Sequence, residues 1–397
     1  MNRDDLALRV QKAAERAILL RRAMHACPEV DFDLKETLAL VTGRLEELGL
    51  PWRAVGKAGV AALVEGDAPG ETVLLRADMD ALPVFEETDV PWRSKRDGFM
   101  HGCGHDIHTA CLLGAAEVLA SVRKDLCGSI LLVFQPAEET SGGALPMMQD
   151  GLFAGGTPSA AFALHCSPAL RVGFVGAYSG TFCAASDMFD CTVKGRGAHG
   201  AEPQNGTDVI ALSCQVISAL HHLVPRTTDP AEPVVLSVGT FRAGTARNIL
   251  PERAEFSGIL RTLDDGTRMS LKAKIRRTVM NIPDVLGAVG EVRFTEGYPM
   301  LRNDSAMTAL VLRTAEALLG EGKAVTLTRP QLAVDDFAYF LREIPGCYFL
   351  LGTAHGDGRE EPPLHSPRFD PDEECLPVGI EILAGTALSF LEGGYQK

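Results

Sequence analysis

Apolar positions along this chain change their period several times, and each change marks a predicted element. Leu6, Val10, Ala13, Ala14, Ala17 and Leu20 recur at helical spacing, as do Leu38, Val41, Leu45 and Leu48 before Gly49. One apolar face each, the second closed by its glycine, predicts two amphipathic helices. The spacing then gives way to short, nearly continuous apolar runs at 60–64, 72–78, 129–135 and 160–165. Runs of that kind suit strands buried on both faces of a sheet. Helical patterns at 109–119 and 144–148 fall between them. Strands alternating with helices imply βαβ units and a doubly wound, mostly parallel α/β sheet.

From Ala185 the pattern differs. Residues 187–193 alternate as a half-exposed strand, 209–223 read as a helix, and 234–241 and 254–263 read as strands. A helix at 269–280 and a strand near Val292 complete a β-α-β-β-α-β string, an α+β sandwich with one open sheet. After Pro299 the α/β character returns, with a helix at 305–319, a strand at 347–351 and a last helix ending near Leu391. The expected organisation is a main α/β domain in two parts, 1–184 and 299–397, interrupted by an inserted lid domain at 185–298.

Composition narrows the class. The chain has 397 residues, 46% hydrophobic and 23% charged, with a formal net charge of −14. That balance excludes disordered and collagenous classes, and the acidic excess without any basic run argues against nucleic acid. Ten cysteines spread from Cys27 to Cys375 lack the spacing of a disulfide framework and read as reduced thiols. The first twenty residues mix acids and bases, unlike a signal peptide, and nothing downstream approaches a membrane span. A cytoplasmic protein is the expectation.

The ends of the predicted strands carry the chemistry. In a parallel α/β sheet, ligands gather outside the carboxyl ends of the strands. After VLLRA come Asp78 and Asp80, after ILLVFQPA come Glu138 and Glu139, and after AAFAL comes His165. The helix predicted from Thr109 follows Met100-His-Gly-Cys-Gly-His-Asp-Ile-His108. Grouped carboxylates repel unless a cation compensates, and a mixture of thiol, imidazole and carboxylate suits zinc or manganese, not calcium. Taken singly, Cys103 reads as a small hydrophobe, Glu138-Glu139 as a solvated turn, and His165 as an ordinary hydrogen-bonded residue. Their grouping favours a metal. Adjacent residues at a strand end point in different directions, so one of Glu138 and Glu139 can ligate while the other serves a water as general base. That division fits amide hydrolysis.

The motifs Arg76-Ala-Asp-Met-Asp-Ala-Leu-Pro83, Met100-His-Gly-Cys-Gly-His-Asp-Ile-His-Thr109, Phe134-Gln-Pro-Ala-Glu-Glu139, Gly195-Arg-Gly-Ala-His-Gly200, Asn248-Ile-Leu-Pro251 and Leu364-His-Ser-Pro-Arg-Phe369 extend this picture over nearly the whole chain. Together they resemble the dinuclear-metal amidohydrolases related to aminoacylase, in the branch of hippurate hydrolases, N-acyl-amino-acid deacylases and plant auxin-conjugate hydrolases. The resemblance implies cleavage of N-acyl amino acids, or of dipeptides and peptide C-termini on the same scaffold. It makes Cys103, His105, Glu139, His165 and His365 the ligands of two divalent metals, zinc or manganese. Glu138 becomes the proton carrier, and Asp80, with Asp78 possible beside it, orients a ligand. His199 and Asn248 correspond to groups that hold the scissile carbonyl, and Arg261 to a clamp on the substrate carboxylate. Dimerisation through the lid is a further implication.

Several residues read as structural. His25 falls in a motif without evident chemistry, His101 and His108 flank the metal segment, and His221 and His222 end a lid helix. Cys111, Cys166, Cys183, Cys191 and Cys214 read as core. Asp78, Asp80, Asp106, Glu138 and Glu139 are expected to gather about the cations. Asp335 stands where the family pattern has glutamate, beside a retained Asp336, and is expected to bear on specificity.

Overall fold

The two leading helical patterns form α1 (Arg3–Ala26) and α2 (Lys35–Glu47) in the computed structural model, which describes residues 3–394. Each buries the stripe that its spacing picks out, Leu6 to Ala17 on α1 and Val41 with Leu45 on α2. Glu29 starts α2, its carboxylate accepting the N–H groups of Glu36 and Thr37 at 3.1 and 2.9 Å. Those donors have no partner within the helix, so the acid satisfies what the helix leaves open. Gly49 follows α2 at φ 64°, a left-handed value that glycine adopts without steric cost.

The chain continues through β1 (Trp52–Val55), β2 (Gly59–Glu65), β3 (Ala68–Asp78), α3 (His105–Ser121), β4 (Cys127–Gln135), α4 (Ala144–Gln149), β5 (Ala160–Arg171) and β6 (Val175–Ala177). Next come β7 (Gly180–Cys183), β8 (Ala185–Lys194), β9 (Ala198–His199), α5 (Val209–Thr227), β10 (Val234–Ala243), β11 (Ile249–Leu250), β12 (Arg253–Thr262), α6 (Asp265–Asp284), β13 (Val289–Glu296) and β14 (Leu301–Asn303). The described chain closes with α7 (Ser305–Leu319), β15 (Ala324–Thr326), α8 (Ala338–Glu343), β16 (Gly346–Ala354) and α9 (Cys375–Leu391). Among the described residues, no helix is long and apolar enough to cross a membrane.

Two compact units emerge. The first comprises the residues up to Gly180, Arg302–Arg329 and the residues from Asp335 onward. Its sheet has the order β1-β2-β4-β3-β5-β16-β6-β15. The middle strands β4, β3, β5 and β16 are parallel, while β1 and β2 join antiparallel at one side. All nine residues of β16 are buried, as a strand covered on both faces requires. Parallel pairing brings the carboxyl ends of neighbouring strands level, so that Asp78 on β3 registers with Gln135 on β4.

The second unit comprises Thr181–Leu301 and Pro330–Val334. Its antiparallel sheet, ordered β10-β12-β8-β13, packs Phe189, Cys191 and Val193 of β8 against α5 and α6. The unit reaches beyond 185–298 at both ends and takes in a later stretch that the sequence assigns elsewhere. Two backbone hydrogen bonds draw that stretch in, from Gln331 to the Phe182 carbonyl and from Ala184 to the Ala333 carbonyl. Two other local expectations change. Helix α3 starts at His105, four residues early, because Gly104 adopts φ 89° and its carbonyl accepts the His108 N–H. Cys214 is exposed on α5, outside the core.

Candidate metal centre

Four segments of the first unit converge on one place. Asp80 lies just past β3, Glu138 and Glu139 just past β4, and His165 on β5, while Cys103 and His105 flank the start of α3. Backbone strain accompanies them. Ala137 and His365 hold φ values of 58° and 66°, in the left-handed region that residues with a Cβ avoid at a cost of about 1–3 kcal/mol each. The surroundings enforce both. Asp80 accepts the N–H groups of Glu138 and Glu139 at 2.9 and 3.0 Å, one on each carboxylate oxygen. The His365 N–H donates to the Gly102 carbonyl at 2.8 Å. At Gly104 a Cβ would stand 2.7 Å from the Cys166 sulfur, so the turn between Cys103 and His105 has room only for glycine.

Side-chain donors then cluster. Cys103, His105 and His165 present atoms within 4.8 Å of one another, as do Cys103, Glu139 and His365, and His105, Glu138 and Glu139. Cys103 Sγ is 3.4 Å from His165 Nε2, and His365 Nε2 is 3.2 Å from Glu139 Oε1. Both ring nitrogens of His105 are buried without a hydrogen bond. Buried polar atoms are almost always satisfied, so the unsatisfied His105 ring, converging with the Cys103 sulfur and the Glu139 carboxylate, fits a divalent transition metal.

The electrostatics agree. Burial alone would lower the His105 pKa, but Asp78, Asp80 and Glu139 raise it to about 10, the mark of a site with surplus negative charge. Glu139 is pulled down to about 2, where burial is outweighed by His365 and His105. Glu138 moves the other way, well above the usual carboxylate range, through burial followed by the charges of Asp335, Glu139 and Asp336. Two adjacent glutamates thus sit in opposite environments, one held as an anion and one disposed to carry a proton.

The acids near the site differ in their partners. Both Asp78 oxygens are engaged, by Arg76 at 2.7 Å and by His108 Nδ1 at 2.5 Å, and Oδ2 also lies 3.6 Å from His105 Nε2. His108 accepts the Cys166 N–H on its other nitrogen, which fixes a neutral imidazole that burial pushes down to about 4. Asp106, expected among the acids about the cations, instead pairs with Arg21 and His25, each at 2.8 Å. Asp335 is 2% exposed and commits its carboxylate to Arg76 at 3.1 Å and to the Phe337 N–H at 2.8 Å. Its placement bears on the surroundings of Glu138, with which it and Asp336 cluster within 4.8 Å. Arg76 joins Asp78, Asp335 and Asp336 and also donates to Gln135. The sequence reading gives Arg76 no role of its own; a cation inside the run VLLRAD was the available signal.

His199, Asn248 and Arg261 belong to the second unit. His199 on β9 pairs with Ile249 on β11, and the Gly200 N–H donates to the Asn248 carbonyl at 2.8 Å, so His199 and Asn248 are neighbours. Arg261 is half-buried on β12, with one guanidinium nitrogen buried and without a hydrogen bond. Burial lowers its pKa.

The family model described as peptidase family M20/M25/M40 matches residues 74–389. A thermostable carboxypeptidase of Saccharolobus solfataricus is 38% identical, covering 96% of this chain and 97% of its own. An N-acetyl-L-cysteine deacetylase of Bacillus subtilis is also 38% identical, covering 95% of this chain and 89% of its own. Among solved structures, a dinuclear metal-binding peptidase from family M20 of Bacillus subtilis superposes with a TM-score of 0.83 at 34% identity, covering 96% of this chain and 99% of that one.

Proposed function

Because the chain belongs to peptidase family M20/M25/M40 and is a metal-dependent hydrolase of amide bonds, we propose that it cleaves N-acyl amino acids to a carboxylic acid and a free amino acid. Cys103, His105, Glu139, His165 and His365 would hold two divalent metals, zinc or manganese by their mixed sulfur, nitrogen and oxygen donors. Bound there, the metals would polarise the scissile carbonyl and acidify the attacking water.

The chain's own groups divide the remaining work. Glu138 accepts the proton of the attacking water and hands it to the leaving amine, a task suited to a carboxyl raised above its usual range. Asp80 holds Glu138 and Glu139 in register through their backbone N–H groups and faces His105 Nδ1 at 3.4 Å, fixing which nitrogen of that ring is free. From the second unit, the neighbours His199 and Asn248 would hold the carbonyl oxygen as negative charge develops, and Arg261 would clamp the substrate carboxylate with its planar fork. The family resemblance supports a homodimer formed through the second unit. Ten free cysteines support a reducing, cytoplasmic setting.

The observation that carries this reading is the contrast between Glu138 and Glu139. One is drawn into the ligand cluster beside Cys103 and His365, and the other is buried beside it among acids. The carboxypeptidase relative favours a second reading, hydrolysis of an amino acid from a peptide C-terminus. Amine release from paired N-acetyl amino acids and dipeptides, on apoprotein reloaded with zinc, manganese or cobalt, separates the two. Glu138→Gln is expected to keep its metal and lose about 10²–10⁴-fold in kcat. Near wild-type turnover in that variant would remove Glu138 from the reaction.

A further inference from the structure

His25 lies outside every role described so far, yet its surroundings are built with care. It is 1% exposed near the end of α1. Its Nδ1 stands 2.8 Å from Asp106 Oδ2, and its Nε2 stands 3.1 Å from Glu86 Oε1. Both partners are carboxylates, which accept only, so each ring nitrogen has an acceptor within reach, and Arg21 Nη2 also lies 3.2 Å from Nδ1. Arg21, one helical turn earlier, shares Asp106 at 2.8 Å and reaches Glu373 at 3.2 Å. The His101 ring packs 6.2 Å from His25, centroid to centroid.

The two carboxylates lead to different parts of the metal centre. Asp106 immediately follows His105 in the first turn of α3. Glu86 organises the loop after β3, accepting the Ser94 N–H at 2.7 Å and the Thr88 hydroxyl. The next residue in that loop, Glu87, donates its N–H to the Pro367 carbonyl at 2.7 Å, two positions past His365. One imidazole ring therefore braces both the segment bearing Cys103 and His105 and the segment bearing His365. One backbone hydrogen bond joins those segments directly, from His365 N–H to the Gly102 carbonyl.

We propose that His25 is a positioning residue for the metal centre, setting the separation of its two ligand-bearing segments by bridging Asp106 to Glu86. The inference rests on the ligand assignment proposed above. Cobalt serves as the probe, because a thiolate ligand gives Co²⁺ a charge-transfer absorption that depends on the sulfur–metal geometry and needs no turnover. His25→Gln is expected to require about tenfold more Co²⁺ for half-saturation of that band, as loss of a supporting group does at other metal sites. Glu86→Gln, which keeps the volume and removes one anchor, moves in the same direction by less. Val10→Ala, a packing change on the same helix away from the network, lowers apoprotein melting temperature and leaves Co²⁺ saturation unchanged. Saturation of His25→Gln at the wild-type concentration, or equal weakening in Val10→Ala, overturns the proposal. A wild-type protein without any thiolate band overturns the assignment of Cys103 and the proposal with it.

Discussion

Substitution Asp80→Asn tests how the centre is held, at almost no change in volume. Asp80 is 1% exposed, and each of its oxygens accepts one backbone N–H, from Glu138 at 2.9 Å and from Glu139 at 3.0 Å. Asparagine offers one carbonyl oxygen and turns an NH₂ group toward the other donor. One charge-assisted hydrogen bond worth about 1.5–3 kcal/mol is lost, and a buried N–H left unpaired costs about 1–3 kcal/mol. These overlap, so the expected loss of apoprotein stability is about 2–5 kcal/mol. The same change removes the carboxylate facing His105 Nδ1, and the expected loss of metal affinity is about 10–100-fold. Urea unfolding of the metal-free protein and competition with a chelator measure the two effects separately. Stability within about 0.5 kcal/mol of wild type, the range of inconsequential surface changes, together with unchanged metal affinity, refutes the reasoning.

Arg76→Met leaves Asp78, Asp335 and Asp336 as buried carboxylates without their cation, and is expected to cost about 3–5 kcal/mol; an unfolding midpoint equal to wild type counts against the network. In the second unit, burial alone would raise the Asp187 carboxyl, but hydrogen bonds from Arg268 and Lys272 bring it below its usual value. A lowered native pKa gives stability that is present above the unfolded value near 3.8 and lost as pH falls through the native one. Asp187→Asn should therefore cost roughly 1–2 kcal/mol at pH 7 and progressively less below about pH 4; urea midpoints at the two pH values check this, and a difference independent of pH contradicts it.

What the sequence discloses is what local pattern encodes. Buried parallel strands such as β3, β4 and β5 are continuous apolar runs, so their ends, and the acids and imidazole placed there, can be found by reading along the chain. The motif around Cys103 is likewise contiguous. The partners of Arg76 and His25 are another matter. Asp335 lies 259 positions from Arg76, and Asp106 lies 81 from His25. No period or spacing reports a pairing of that kind, which is why the sequence gives Asp335 no cationic partner and reads His25 as structural. Short elements such as β6 and β15, three residues each, carry no periodicity to detect. The stretch Pro330–Val334 joins the second unit through backbone hydrogen bonds, which side-chain patterns do not record.

The distance between Arg76 and its two late partners also has a meaning in time. A ribosome adds about 5–20 residues per second, so roughly 10–50 s pass between the emergence of Arg76 and that of Asp335 and Asp336, while the whole second unit is made. During that interval the strand β16, which fills the middle of the sheet beside β5, does not yet exist. The nascent first part holds a guanidinium and Asp78 at the end of an unfinished sheet, lacking the charges that later neutralise the cluster. The amidohydrolase centre is therefore a late product of synthesis, completed only when the far end of the chain returns to its beginning.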